Sequence, residues 1–454
     1  MSTEPQPRPT PSPPTRRGRT TRPAGAWRRA VAAVLAVGCL TAAAACAPGS
    51  GTGSSSSDKT MRVSTWGNES RVKLTQQAID AFTKANPGVT VSLENNEWSS
   101  YWDRLATTTA ANDAPDVIQM DESYIAAYGS RDALLGLDTV QSTLDLSAMD
   151  ATVLDTGKID GKLFGAPIGT ANFAVAVNPK VLDEAGVTMP DDKTWTWDDL
   201  ASTSAAVTAK LGARGVYGLD GFGTAAAELG AWTRQHGEEV WPTQGQTPVS
   251  EPTVTSYFDY ASRLIKTKAT PQASLQVENA GVALDSSLFA TNKAAFHLLF
   301  HTQVSAFAAA SGNQNLKLLR LPAQKKGESP KMVNKASMYW SISSRSKKSD
   351  EAAKLVDFLM TDPAATRILT TERGVPAIPA VQQEIAPLLD PPSKVALQFS
   401  RAIAPELVAP PHVTPTTASG FSAEFTNIGN DVVFGRSSPA DAAAKTLSTI
   451  GGMT

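Results

Sequence analysis

An α/β fold with a mostly parallel sheet is predicted by three observations. Short β runs alternate with helical stretches whose apolar residues recur on one face. Proline and glycine punctuate the boundaries. The chain after residue 45 has 409 residues (454 − 45), enough to bury two cores.

The elements follow in order. Met61–Trp66 reads as a β run, and Val72–Asn86 as a helix with Leu74, Ala78 and Phe82 four apart. Pro87-Gly88 ends that helix, and Val89–Leu93 alternates as a second strand. Tyr101–Ala111 is a helix and Asp116–Met120 a buried strand. Phe173–Val177 is the next strand, and Thr196 with Asp199 makes a capping-box start for a helix to about Lys210. Helices are expected near Glu228–His236 and Glu251–Lys268, and strands at Ala294–Phe300 and Leu316–Leu321. Ser349 is read as the cap of Asp350–Met360, Asp362-Pro363 starts another helix, and Ser438-Pro439 starts the last.

The head of the chain has a different character. Seven arginines against Glu4 precede an apolar run, Ala30–Ala45, that is shorter than the roughly 20 residues of a membrane-spanning helix. That pattern is a secretory signal. The small residues before Cys46, and the Gly/Ser-rich stretch after it, resemble the lipobox and tether of a bacterial lipoprotein, in which the cysteine carries lipid. A plain secretory signal cut near the alanines is the alternative, and both place the protein outside the cytoplasm. Arg16-Arg17 and Arg28-Arg29 leave twin-arginine and Sec export both open. The only other cysteine is Cys39, inside the signal, so no internal disulfide is expected in the mature chain. With +6 in residues 1–45 and −2 overall, the remainder carries −2 − 6 = −8, the wrong sign for a nucleic-acid surface.

Further motifs carry a resemblance. Val63-Ser-Thr-Trp-Gly-Asn-Glu69, Phe82-Thr-Lys-Ala-Asn-Pro-Gly-Val-Thr-Val91, Tyr101-Trp-Asp-Arg-Leu-Ala106 and Ala114-Pro-Asp-Val-Ile-Gln-Met-Asp121 resemble, in that order, extracellular solute-binding proteins of family 1, the maltose-binding type. The likeness continues through Asp160–Ile168, Val177–Gly186, Thr194–Leu200, Thr371–Pro376 and Ser438–Ala443. It implies a two-lobe type II periplasmic-binding-protein fold with a central ligand cleft and a hinge. The expected organisation is a signal at 1–45, a tether at 46–59, a first lobe of 60–168 plus 341–362, and a second of 173–335 plus 363–454. Ile168–Asn172 and Ala336–Ser341 are the expected crossovers. The implied function is capture of a solute, most often a mono- or oligosaccharide, and delivery to ABC permease subunits. The protein would be a monomer on the outer face of the cell membrane, held only by lipid on Cys46, with no cofactor, metal or catalysis.

A sugar site needs flat aromatic faces for C–H surfaces and planar polar groups for hydroxyls. Loops at the carboxyl ends of parallel strands are where an open α/β sheet binds ligand. The first-lobe candidates are therefore Trp66, Asn68 and Glu69 after one strand, Trp98 and Tyr101 after the next, and Asp121 and Glu122 after the third. In the second lobe they are Thr170, Asn172, Trp232, His301 and Gln303, with Trp340 beside the second crossover and Arg373 as either a hydrogen-bond fork to ligand hydroxyls or a lobe-stabilising ion pair. Phe300-His301-Thr302-Gln303 replaces the Gly-Pro-Trp or Gly-Ser-Trp turn of relatives, which puts an ordinary maltodextrin pocket in doubt. Trp102, Trp195 and Trp197 are read as packing residues.

Two rival classes are weighed. An extracellular glycan-active enzyme would need an acid/base pair, an elbow or a loop motif, and none is marked in the sequence. His297 and His301 share a spacing with zinc sites but lie on a strand, where that spacing loses its meaning. A binding protein for a non-sugar solute, such as a polyamine, a metal chelate or glycerol phosphate, is the second rival. The acidic, aromatic loops favour a neutral polyol, or secondarily a cation.

Overall fold

The computed structural model describes residues 60–453. The expected signal, Cys46 and the expected tether lie outside these residues.

Among the described residues fourteen strands occur in chain order: β1 Thr60–Trp66, β2 Thr90–Asn96, β3 Val117–Met120, β4 Lys158–Ile159, β5 Lys162–Leu163, β6 Ala166–Pro167, β7 Gly169–Ala171, β8 Phe173–Val177, β9 Tyr217–Leu219, β10 Ala294–Phe300, β11 Lys317–Leu319, β12 Lys335–Ala336, β13 Tyr339–Ile342 and β14 Val375–Pro376. They form a five-stranded sheet ordered β2-β1-β3-β13-β6, a four-stranded sheet ordered β11-β8-β10-β9, and a three-stranded ladder ordered β12-β7-β14; β4 and β5 make a hairpin. The two larger sheets are the centres of the two lobes, and the ladder is where the chain crosses between them.

The sheets are mixed rather than mostly parallel. β1 pairs in parallel with β2 and β3, but β13 is antiparallel to β3 and β6, and β8 is antiparallel to β10 and β11. The crossings cause this. A strand that follows a helix within its own lobe ends at the cleft, whereas β13 and β8 start there. Thus Tyr339, the first residue of β13, faces Met120, the last of β3, and Phe173 faces Phe300 in the same way.

Local chemistry explains the helices that position the site. In α1 (Glu69–Ala85), the Asn68 side chain accepts from the Arg71 N–H, and Thr75, Ala78, Ile79 and Phe82 bury one face. Helix α2 (Trp98–Ala110) follows β2, and α3 (Glu122–Gly129) follows β3, capped by Asp121 on the Ser123 N–H. The capping box of Thr196 and Asp199 forms as expected, at the head of Trp197–Leu211. Ser349 is the first residue of its helix, not the cap; that position falls to Lys348, which makes no side-chain cap bond.

One expected boundary moves. Pro363–Leu369 packs against α1 and Ser349–Thr361, so it belongs to the first lobe rather than the second. The chain crosses again at β14, a third crossing absent from the expectation, whose Val375 pairs with Thr170. Gly374 makes the approach possible: its φ is +105°, and a Cβ there would lie 2.6 Å from Ser337 Oγ.

Candidate functional site

The ends of β1, β2 and β3 carry a group of aromatic rings. Trp66 lies 5.1 Å from both Trp98 and Tyr101, and Trp102 stacks on Tyr124 at 3.7 Å. Burial divides the group. Tyr101 is 1 % exposed and donates to Gln119 O at 2.6 Å, and burial raises its hydroxyl pKa. Trp66 is buried too, whereas Trp98 is 44 % exposed.

Between the lobes lie two cavities that share Ala171, Phe300, Lys335 and Ala336. The first, about 370 Å³, has aromatic walls that include Phe173, Trp241, Phe300 and Phe421. The Phe173 and Phe300 rings are 5.5 Å apart, and Trp241 meets Phe421 edge-on at 5.2 Å. Its polar lining includes Glu122, Arg234 and Glu239. Arg234 Nε stands 3.5 Å from Glu239, an ion pair without hydrogen-bond geometry. Burial lowers the pKa of Arg234 and raises that of Glu239. The segment Pro410–Thr414 walls one side. Thr414 donates from both its N–H and Oγ1 to Glu122 Oε1, at 2.6 and 2.8 Å, and Val413 is buried in the first-lobe aromatic cluster.

The second cavity, about 600 Å³, brings together Asn68, Asp121, Gln303 and Arg373, four of the residues singled out from sequence. Asn68 and Asp121 cap α1 and α3, and Gln303 Oε1 accepts from Phe300 N–H at 3.1 Å. Arg373 forms no ion pair among the described residues, and its guanidinium lies 5.3 Å from the Trp340 ring centroid.

The remaining candidates lie elsewhere. Glu69 is exposed at the start of α1, and neither it nor Trp66, Trp98 or Tyr101 lines either cavity. Trp232 is buried among Trp197, Phe222 and Tyr260, donating to Ser256 Oγ. Trp340 is 1 % exposed in the middle of the five-stranded sheet, and Thr170 is buried in the crossing ladder. These rings and side chains are enclosed by protein, so the site proposed below omits them. Asn172 and His301 hold the hinge: His301 Nδ1 accepts from Asn172 N–H at 2.8 Å, and Asn172 Nδ2 donates to Val333 O and Asn334 Oδ1. Burial pushes the His301 pKa down to about 4, so the neutral ring is favoured. Lys335, Phe173, Phe300 and Trp241 were not anticipated. Phe300 ends a strand at the cleft and was open to the strand-end argument used in the first lobe; Trp241 sits in a loop with no local signal.

Among the described residues no group of His, Cys, Asp and Glu is placed to hold a metal ion, and no helix is long and apolar enough to cross a membrane.

Residues 66–366 match the family described as bacterial extracellular solute-binding protein. A putative binding protein of Brucella abortus is 25 % identical over 146 residues, 32 % of this chain; that alignment spans 35 % of the curated relative's length. A family 1 extracellular solute-binding protein of Alicyclobacillus acidocaldarius is 25 % identical with a TM-score of 0.68, covering 87 % of this chain and 98 % of that one. The GacH receptor of Streptomyces glaucescens, solved unliganded and with acarbose, is 20 % identical with a TM-score of 0.71 and the same coverage.

Proposed function

Because the chain belongs to the bacterial extracellular solute-binding protein family, we propose that it captures a carbohydrate between its lobes and delivers it to an ABC importer. Lipid on Cys46 holds it at the outer face of the membrane in this reading. The observation that carries the proposal is the first cavity, where the aromatic faces of Phe173, Trp241 and Phe300 adjoin Glu122, Arg234 and Glu239. Apolar faces suit the C–H surface of a sugar ring, and charged planar groups suit its hydroxyls. The acarbose complex of the GacH receptor supports the same class of ligand.

Binding and closure are linked in this scheme. A solute that touches both lobes favours the closed arrangement over the open one by its differential affinity, and the hinge strands β7, β12 and β14 absorb the movement. The permease then recognises the closed form. No residue is required to do covalent chemistry.

Thermal unfolding of the full chain in mild detergent, against a panel of mono- and oligosaccharides, tests the proposal. A ligand at 100 times its dissociation constant adds about 2.7 kcal/mol of stability, a visible shift of the midpoint. A shift with one carbohydrate class, removed by Phe300→Ala, is expected. No shift with any carbohydrate overturns the reading. Cys46→Ala should release the protein from the membrane fraction; full retention would contradict the anchor.

A further inference from the structure

The charges on the walls of the two cavities are not equally satisfied. Each carboxylate is engaged. Glu122 accepts twice from Thr414, Asp121 and Asp390 cap helices, Glu239 faces Arg234, and Glu372 Oε1 pairs with Arg71 at 3.0 Å. The acidic appearance of these loops in sequence is thus spent on local structure.

Two cations on the second cavity lack such partners. Arg373 is 3 % exposed, donates through Nη2 to Thr75 Oγ1 at 2.7 Å and through Nε to Gln119 Oε1 at 3.2 Å, and leaves Nη1 with no acceptor. Both acceptors are neutral. Burial pushes its pKa down to about 9, with Arg71 adding repulsion. Lys335 reaches only the Ala336 carbonyl, at 3.5 Å, and stands 5.9 Å from the Phe300 ring centroid. Neither side chain has a carboxylate within ion-pair distance among the described residues. Glu372 attracts Arg373 but is already paired with Arg71, and a buried charge that is only partly compensated is costly. An anion entering the cavity beside Lys335 would offset the charge cost.

We propose that the second cavity is the acid-recognising part of the solute site: the carbohydrate carries a carboxylate, as a uronic acid does, and sets it against Lys335, within the positive field of Arg373. The inference deepens the carbohydrate reading and rests on it. The geometry favours this arrangement because Phe300 and Lys335 stand on both cavities, so a ring on the Phe300 side has its acid group beside Lys335. A monoanion fits better than a phosphate dianion, since Asp121 and Asp390 line the same cavity and repel surplus negative charge. Lys335 supplies a mobile point charge that can reach the carboxylate, and Arg373, whose Nε and Nη2 are already bonded, adds positive potential from behind the wall.

Isothermal titration of the full chain in mild detergent is the test. Galacturonic and glucuronic acids and their dimers are compared with galactose, glucose, their dimers and glucose 6-phosphate. The acids are expected to bind at least about tenfold more tightly than the neutral sugars, with affinity falling as sodium chloride rises from about 50 to 500 mM. Lys335→Gln, at a half-buried position, should keep the unfolding midpoint while bringing the acid-to-neutral ratio close to one. Neutral sugars binding as tightly as the acids would overturn this inference and leave the carbohydrate reading standing. A preference for acids that survives Lys335→Gln, or tighter binding of the sugar phosphate, would also overturn it. Binding of no carbohydrate at all would overturn both.

Discussion

Each lobe contains a cluster of aromatic side chains, and the two clusters do different work. In the second lobe Trp197, Phe222, Trp232, Tyr257 and Tyr260 are each at most 5 % exposed. Their polar ends are all occupied: Trp197 donates to Gln235, Trp232 to Ser256, Tyr257 to Glu228 and Tyr260 to the Trp197 carbonyl. In the first lobe, Trp66, Trp98, Tyr101, Trp102 and Tyr124 sit at the ends of β1 to β3, Trp98 stands 44 % exposed, and Trp102 Nε1 has no partner. Trp66, Tyr101 and Trp102 are nonetheless enclosed, at 8 % exposure or less, so the open member of the first cluster is Trp98. Residue type alone does not separate these cases, because both clusters are rich in tryptophan.

The largest expected effect breaks the second cluster. Trp232→Ala should cost about 3–5 kcal/mol, the usual loss for a large buried aromatic, read as a lower midpoint in urea. A loss below about 1 kcal/mol would place Trp232 with the open Trp98 instead.

Next is Glu228, which is buried beside Tyr257 and accepts from the Gly223 N–H. Burial raises its carboxyl from 4.5 to about 7. A raised acid is protonated when folded and ionised when unfolded across that window, so its contribution is fully present below pH 4.5. It is lost as pH rises through 7, by on the order of 3 kcal/mol in total. His301, neutral when folded and with its pKa lowered to about 4, contributes with the opposite sign between pH 4 and 6.5. The clean reading is therefore between pH 6.5 and 7.5. There Glu228→Gln should flatten a fall in stability that the unmodified protein shows; identical slopes would argue against the buried acid.

Smaller effects sharpen the comparison from the first lobe. Thr414→Val removes one of two donors to Glu122 and should cost about 1 kcal/mol, with faster amide exchange across residues 410–419; unchanged exchange would mean that the bond does not hold this segment. Trp98→Ala should change stability by less than about 1 kcal/mol, because nearly half of the residue is already in water. A loss as large as that of Trp232→Ala would erase the distinction between the clusters.

The sequence made the local part of the fold legible. The spacing of Leu74, Ala78 and Phe82, the Thr196–Asp199 box and the prolines at 363 and 439 each act within a few residues, and elements appear there. Strand direction in the two sheets, the third crossing at Val375 and the place of Pro363–Leu369 depend on how the chain passes between lobes, which no local pattern records. The site divides in the same way. Asn68 and Asp121, which line the second cavity, stand at strand ends and caps, and these are local features. Trp340 was misplaced because a residue beside a crossing can equally enter a sheet, and β13 does so with neighbours on both sides. The proposed part of Lys335 has no local signal, because its lack of a carboxylate partner is visible only once the carboxylates around it have been assigned.

The most direct test of a cleft that closes on its solute is small-angle scattering of the full chain in contrast-matched detergent, with and without a carbohydrate already shown to bind. A smaller radius of gyration at saturation, reversed on removing the sugar, is the predicted result. An unchanged radius at full occupancy would contradict closure of the two lobes about β7, β12 and β14.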